Sequence, residues 1–173
     1  MPMKKYMNNI LNYIAALFGI LAFIGLFASP LQSFNSIKGT WSAYGVKAYL
    51  GETTKDAAGE TVVIYKGTIA PVFGFIFPFL MSIILIIESF RPAWNAKLAV
   101  INTILALMYF ACAVLVLLTK ELWLNANNLG DTTTIRNGGG PVSSAVCSTT
   151  AGVILLIVTW APRKRKEIDF IEK

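Results

Sequence analysis

The sequence contains no histidine. That absence removes the commonest general base and metal ligand available to proteins. Only two cysteines occur, Cys112 and Cys147, and they form no C-x-x-C pair, so thiol-disulfide and quinone-linked oxidoreductase chemistry finds no support. Charge is scarce as well, at 14% of residues, against about 25% in soluble domains. No acidic residue falls centrally in an apolar run, so the usual mark of intramembrane proton or cation coupling is missing. The chain reads as non-enzymatic, with no catalytic residue, cofactor or metal expected.

Apolar side chains are what it has in abundance, at 55% of 173 residues with a mean hydropathy of +0.63. They gather into four runs, residues 10–28, 69–87, 98–118 and 141–160. At about 1.5 Å per residue, each run is long enough to cross most of a roughly 30 Å hydrocarbon core. The first exceeds the h-region of a signal peptide and is read as an uncleaved helix. The last begins at Pro141, because proline suits a first helical turn and the apolar stretch 153–158 alone is too short. The expected fold class is an all-α membrane protein: a single domain over 1–173, built as a four-transmembrane-helix bundle with a small extracytoplasmic β-hairpin.

The net charge of +6 is a matter of topology rather than of nucleic-acid binding. Lys4 and Lys5 precede the first run, Arg91 and Lys97 flank the short loop between the second and third, and Arg163, Lys164, Arg165 and Lys166 follow the fourth. Basic residues beside alternate run ends are the positive-inside pattern, with Tyr6, Trp94 and Trp160 on the same side as interfacial aromatics and Trp41 and Trp123 on the other. Both termini are then cytoplasmic, and a multi-pass plasma (cytoplasmic) membrane protein is expected. The terminal basic cluster would attract anionic lipid headgroups. Glu88 sits beside Arg91, where pairing in the interface is its expected role, whereas small multidrug transporters carry their essential glutamate within the first helix.

Two rows of small residues stand out. Gly140, Ser144, Ser148 and Gly152 recur every four residues on the fourth run, with Ser143, Cys147 and Ala151 beside them; Ala70, Gly74, Pro78 and Ser82 do so on the second. Such rows let helix backbones approach closely and are expected to be seams, within the bundle or against a partner. A glycine-rich phosphate loop is not the reading of RNGGGPVSS, which lacks the Gly-Lys-Ser/Thr ending. Asn12, Ser82, Asn102 and Thr103 form a polar set in the cytoplasmic half, read as interhelical hydrogen-bonding glue, with a small polar pocket or ion path as the alternative. Cys112 and Cys147 lie at similar depth, either as free thiols or as a disulfide between the third and fourth helices.

Outside the membrane, residues 29–68 and 119–140 make two segments. Leu31, Phe34 and Ile37 suggest a short interfacial helix. YGVKAYL (44–50) and TVVIYKG (61–67) alternate or are β-branched, and read as a hairpin with a long polar tip. Leu122 and Trp123 should extend the third helix, and a further strand near 132–135 would steady the hairpin. This layout resembles that of claudin-like tetraspan proteins: inside termini, a long first outer segment with β character, a tight inner loop and a shorter second outer segment. The first-loop W-GLW-C-C pattern of that family is absent; Trp41 is followed by Tyr44 and Gly45, and no cysteine lies in that loop. The expected role is an accessory or scaffold subunit that meets another membrane protein or a second copy of itself. An oligomeric small channel or transporter is the rival.

Overall fold

The computed structural model describes residues 2–28, 30–35, 39–43, 46–90, 96–130 and 135–160. In chain order its elements are α1 (Pro2–Ile24), a 3-10 turn (Gly25–Phe27), β1 (Leu31–Asn35), β2 (Gly39–Ala43), the single turn α2 (Lys47–Leu50), β3 (Gly51–Lys55), β4 (Thr61–Lys66), α3 (Ala70–Ser89), α4 (Ala96–Leu117), α5 (Thr119–Ala126), β5 (Ile135–Asn137) and α6 (Gly139–Trp160). Four helices, α1, α3, α4 and α6, are long and apolar enough to cross a membrane, which makes the chain a multi-pass integral membrane protein. Arg91, Trp94 and the basic run Arg163, Lys164, Arg165 and Lys166 lie outside the described residues.

The four long helices form a bundle in which α1 packs on α3 and α6, and α4 packs on the same two, so that α1 and α4 stand diagonally. Only 39 to 44% of the residues in each span are buried. The remaining surface is aliphatic and aromatic, from Leu17 and Leu21 to Phe73, Ile84, Leu107 and Val153. In water such a surface would aggregate; in hydrocarbon it is the solvated face. One buried cluster joins all four helices through Ala15, Ala16, Leu85, Ala106, Tyr109 and Leu155. A second, toward the sheets, joins Leu26, Phe75, Val116 and Ala145 and includes Tyr49 from α2.

Helices approach closely wherever a side chain is missing. A Cβ at Gly19 would come within 2.5 Å of the Tyr109 hydroxyl and 2.8 Å of the Pro78 carbonyl. At Gly74 it would meet the Val116 side chain at 2.7 Å, and at Gly25 the Gly140 carbonyl at 2.8 Å. These contacts tie α1 to α3 and α6, and α3 to α4.

The segments joining the helices depart from the sequence expectation. Instead of one hairpin there are two small sheets, with strand orders β2-β1-β5 and β3-β4. The stretch beginning at Leu31 is a strand, not an interfacial helix, because it pairs antiparallel with β2 on one side and β5 on the other. Residues 47–50 are a helical turn, not the first hairpin strand, which puts the adjacent Ala48 and Tyr49 inside together. The hairpin is formed instead by GETTK and TVVIYK, with a short tip at Asp56–Glu60. One Asp56 carboxylate oxygen accepts from the Ala58 and Glu60 N–H groups at 2.9 Å each, and Gly59 adopts φ +82° there. A side-chain oxygen bonding its own backbone in this way closes a turn without help from neighbours. The strand expected near 132–135 is in part outside the described residues; β5 begins at Ile135 and joins β1 rather than the hairpin.

Two asparagines fasten these sheets to the helices. Asn137 donates to the Leu117 carbonyl and accepts from the Lys120 N–H, which satisfies both groups freed where α4 breaks and α5 begins. Asn127, at the end of α5, accepts from the Lys66 N–H at 2.7 Å and donates to the Lys66 carbonyl at 3.0 Å, as a neighbouring strand would. Replacing Gly19 by leucine is expected to overpack the α1–α3–α4 contact, costing about 1–3 kcal/mol or more. A lowered thermal unfolding midpoint in detergent would show it, with Leu21→Ala on the exposed face of α1 as a milder control.

Candidate functional site

The two small-residue rows are taken up inside the bundle. Gly140, Ser144, Ser148 and Gly152 are all buried, as are Gly74, Pro78 and Ser82, whereas Ala70 is exposed and falls off its row. Gly140 and Ser144 face Gly25 in the 3-10 turn that follows α1, and Gly152 faces the Ala106 carbonyl of α4 at 3.1 Å. Ser143, from the adjacent row, is exposed; Cys147 is half-buried, and both cysteines are free thiols, so no disulfide joins α4 to α6. A partner reaching α6 would meet Val142, Val146, Val153 and Ile157, not its small face.

A polar tie sits near the middle of the bundle. Ser82 donates to the Pro78 carbonyl at 2.8 Å, the Tyr109 hydroxyl reaches the same carbonyl at 3.3 Å, and the two hydroxyls lie 3.1 Å apart. Gly19 supplies the room for both. Tyr109 and Gly19 did not emerge from the sequence, although a lone tyrosine in an apolar run opposite a Pro-x-x-x-Ser was a signal for them. Interhelical hydrogen bonds of this kind average about 0.6 kcal/mol and reach about 1.7.

The expected glue of Asn12, Asn102 and Thr103 is arranged otherwise. Thr103 donates back to the Ala99 carbonyl of its own helix and accepts from the Trp160 indole N–H at 3.2 Å, which links α4 to α6 at the end of the bundle away from the sheets. Asn12 and Asn102 are 3% and 0% exposed. Among the described residues, the Asn12 carboxamide oxygen and both polar atoms of Asn102 have no hydrogen-bond partner. Thr159 is in the same condition, and Glu88 and Ser89 are buried in the same region. Glu88 is a buried side chain, and Arg91, its expected interfacial neighbour, lies outside the described residues. An unsatisfied buried polar group costs about 1–3 kcal/mol.

At the other end the β3–β4 ribbon projects with both faces open. Val62, Val63 and Ile64 are 45%, 54% and 56% exposed, and Leu50 beside them 68%. A register shift between Glu52 and Thr53 leaves Ile64 without a cross-strand partner. The ribbon is held at its base, where the Tyr65 ring lies 5.9 Å from that of Trp123, Asn127 grips Lys66, and Gly51 at φ +88° lets the chain turn tightly against Gly67. Its outward apolar residues are therefore presented on a fixed support.

Burial raises the Tyr49 hydroxyl above its ordinary value, with the neighbouring Thr119 hydroxyl opposing. Burial also raises Tyr65, and the hydrogen bond and negative charge of Glu52 add to it. Among the described residues, no three His, Cys, Asp or Glu side chains come together as a metal would need. The chain matches no family model, and no curated protein matches it in sequence.

Because Asn102 gives up no hydrogen bond among the described residues, Asn102→Leu is expected to leave stability unchanged or raise it by up to about 1 kcal/mol. Tyr109→Phe should instead lower it, and chemical denaturation in mixed micelles separates the two. A tyrosine with a raised folded pKa keeps its proton where the unfolded chain has lost it. Its contribution is whole below about pH 10 and fades as pH rises beyond. Melting curves at about pH 8 and about pH 11, on either side of the unfolded tyrosine value, should show that loss, and Tyr49→Phe should reduce it.

Proposed function

We propose that the chain is a non-enzymatic tetraspan subunit of a membrane assembly, an accessory or scaffold protein that holds another membrane protein through its β3–β4 ribbon. The observation that carries this reading is the exposure of Val62, Val63 and Ile64 on a ribbon whose base is pinned to α5. Consecutive exposed β-branched residues on a two-stranded ribbon are a liability for a protein that works alone, since they invite strand pairing and aggregation. They are an asset where a partner covers them, because a rigid apolar ribbon loses little entropy on docking. Apart from the exposed Ala70, both small-residue rows lie within the bundle, so the ribbon is the surface this reading relies on.

The positive-inside distribution supports a plasma membrane protein with both termini in the cytoplasm and the ribbon outside. The layout then resembles that of claudin-like tetraspans. Arg163, Lys164, Arg165 and Lys166 would rest against anionic headgroups, at about 1 kcal/mol for each basic residue near the surface. A second reading, an oligomeric channel or transporter, draws on the buried polar groups at Asn12, Glu88, Asn102 and Thr159.

Crosslinking in native membranes followed by purification in mild detergent should capture a distinct membrane protein in stable stoichiometry. Val63→Lys and Ile64→Lys are expected to cut that capture about tenfold, a change of about 1.4 kcal/mol, while leaving the melting temperature unchanged. A lone monomer, or capture indifferent to both substitutions, defeats the ribbon reading. A homo-oligomer with a continuous polar lumen favours the second.

A further inference from the structure

Each long helix brings at least one buried polar residue to the end of the bundle away from the sheets. Asn12 precedes Ala15 and Ala16 on α1 by three and four residues, and Asn102 precedes Leu105 and Ala106 on α4 by the same spacing. Glu88 follows Leu85 on α3 by three residues, and Thr159 follows Leu155 on α6 by four. Those apolar residues all belong to one packed cluster. Spacings of three and four keep a helix face, so the polar residues form the next layer, one turn beyond the cluster. They are 3%, 0%, 6% and 7% exposed for Asn12, Asn102, Glu88 and Thr159.

The hydrogen-bonding character of this layer selects its ligand. The Asn12 oxygen and the Asn102 oxygen each need a donor, the Asn102 amide nitrogen needs an acceptor, and the Thr159 hydroxyl can serve as either. A bare cation would satisfy the oxygens but be repelled by the amide N–H. An anion would satisfy the N–H but could donate nothing to the two amide oxygens. Water both donates and accepts, and it is the small ligand that answers every group. As packed here these atoms are closed to solvent-sized contact, so helices must part slightly to admit it. α3 is the element best able to yield: Pro78 deprives it of one internal hydrogen bond, and its contact with α4 is the lightest among neighbouring helices of the bundle.

We infer that Asn12, Asn102 and Thr159, with Glu88 beside them, form a water-binding layer that is hydrated from the end of the bundle opposite the sheets. The apolar cluster and the Tyr109–Ser82 tie are the seal that stops water going further. This stands apart from the ribbon reading and holds whether or not a partner binds.

Single cysteines at positions 12, 102 and 159, in a Cys112→Ala, Cys147→Ala background reconstituted into lipid vesicles, test it with a membrane-impermeant trimethylammonium methanethiosulfonate applied to both sides. Asn12→Cys, Asn102→Cys and Thr159→Cys should react at least about tenfold faster than Leu155→Cys and Ala16→Cys, as local opening to solvent requires. Equal, slow labelling of all five overturns the inference. The unsubstituted protein gives a check independent of any variant. In deuterated water the Asn102 side-chain amide signal should disappear within minutes in a magnetic resonance spectrum, and its survival for days would also overturn the inference.

Discussion

In hydrocarbon there is no water to accept a stray hydrogen bond, and the rest of this structure depends on how that constraint is met at mid-bundle. The Ser82 and Tyr109 hydroxyls are the groups that need a partner there, and both find one in the Pro78 carbonyl of α3. Tyr109 can reach that carbonyl only because α1 presents Gly19, with no side chain, at the point of contact. One glycine, one proline and two hydroxyls thus set the spacing of α1, α3 and α4. The apolar clusters on either side follow from that spacing: small residues line the close approaches, and branched aliphatic residues face outward into lipid.

A different solution operates at the sheet end, where water is near and short strands must be steadied. Neither sheet could stand alone, since two or three strands of three to six residues bury too little. Each is tied to a helix terminus by one asparagine, Asn137 at the α4–α5 break and Asn127 at the end of α5. An amide side chain carries both a donor and an acceptor, so it can occupy the place of a missing strand or a missing helical turn. The ring contact of Tyr65 with Trp123 and the burial of Tyr49 against Phe75 complete the junction. The result is a fixed base and a projecting ribbon, and it is the fixity of the base that gives the exposed apolar residues of the ribbon a definite geometry.

Misreadings of the sequence cluster in this region, for identifiable reasons. Leu31, Phe34 and Ile37 have helical spacing, yet Leu31 is drawn into a strand by pairing with Ala43 and with the distant Asn137. YGVKAYL alternates like a strand, but Tyr49 packs on Phe75 and requires a turn there. The polar set of Asn12, Asn102 and Thr103 was visible, although Ser82, read with it, lies at mid-bundle beside Tyr109. Its hydrogen bonding was not, because an asparagine in an apolar run looks the same whether its amide is shared with another helix or left without a partner.

Hydropathy and the scarcity of charge by themselves determined that four segments are long and apolar enough to cross a membrane. Each of these is a local property, summed over about twenty residues. Only the tertiary structure decided which way the small rows face, which strands pair, and that Gly19 receives Tyr109. Those outcomes depend on contacts between residues far apart in sequence, and a row of small side chains fits a neighbouring helix of its own chain as well as it fits another protein's.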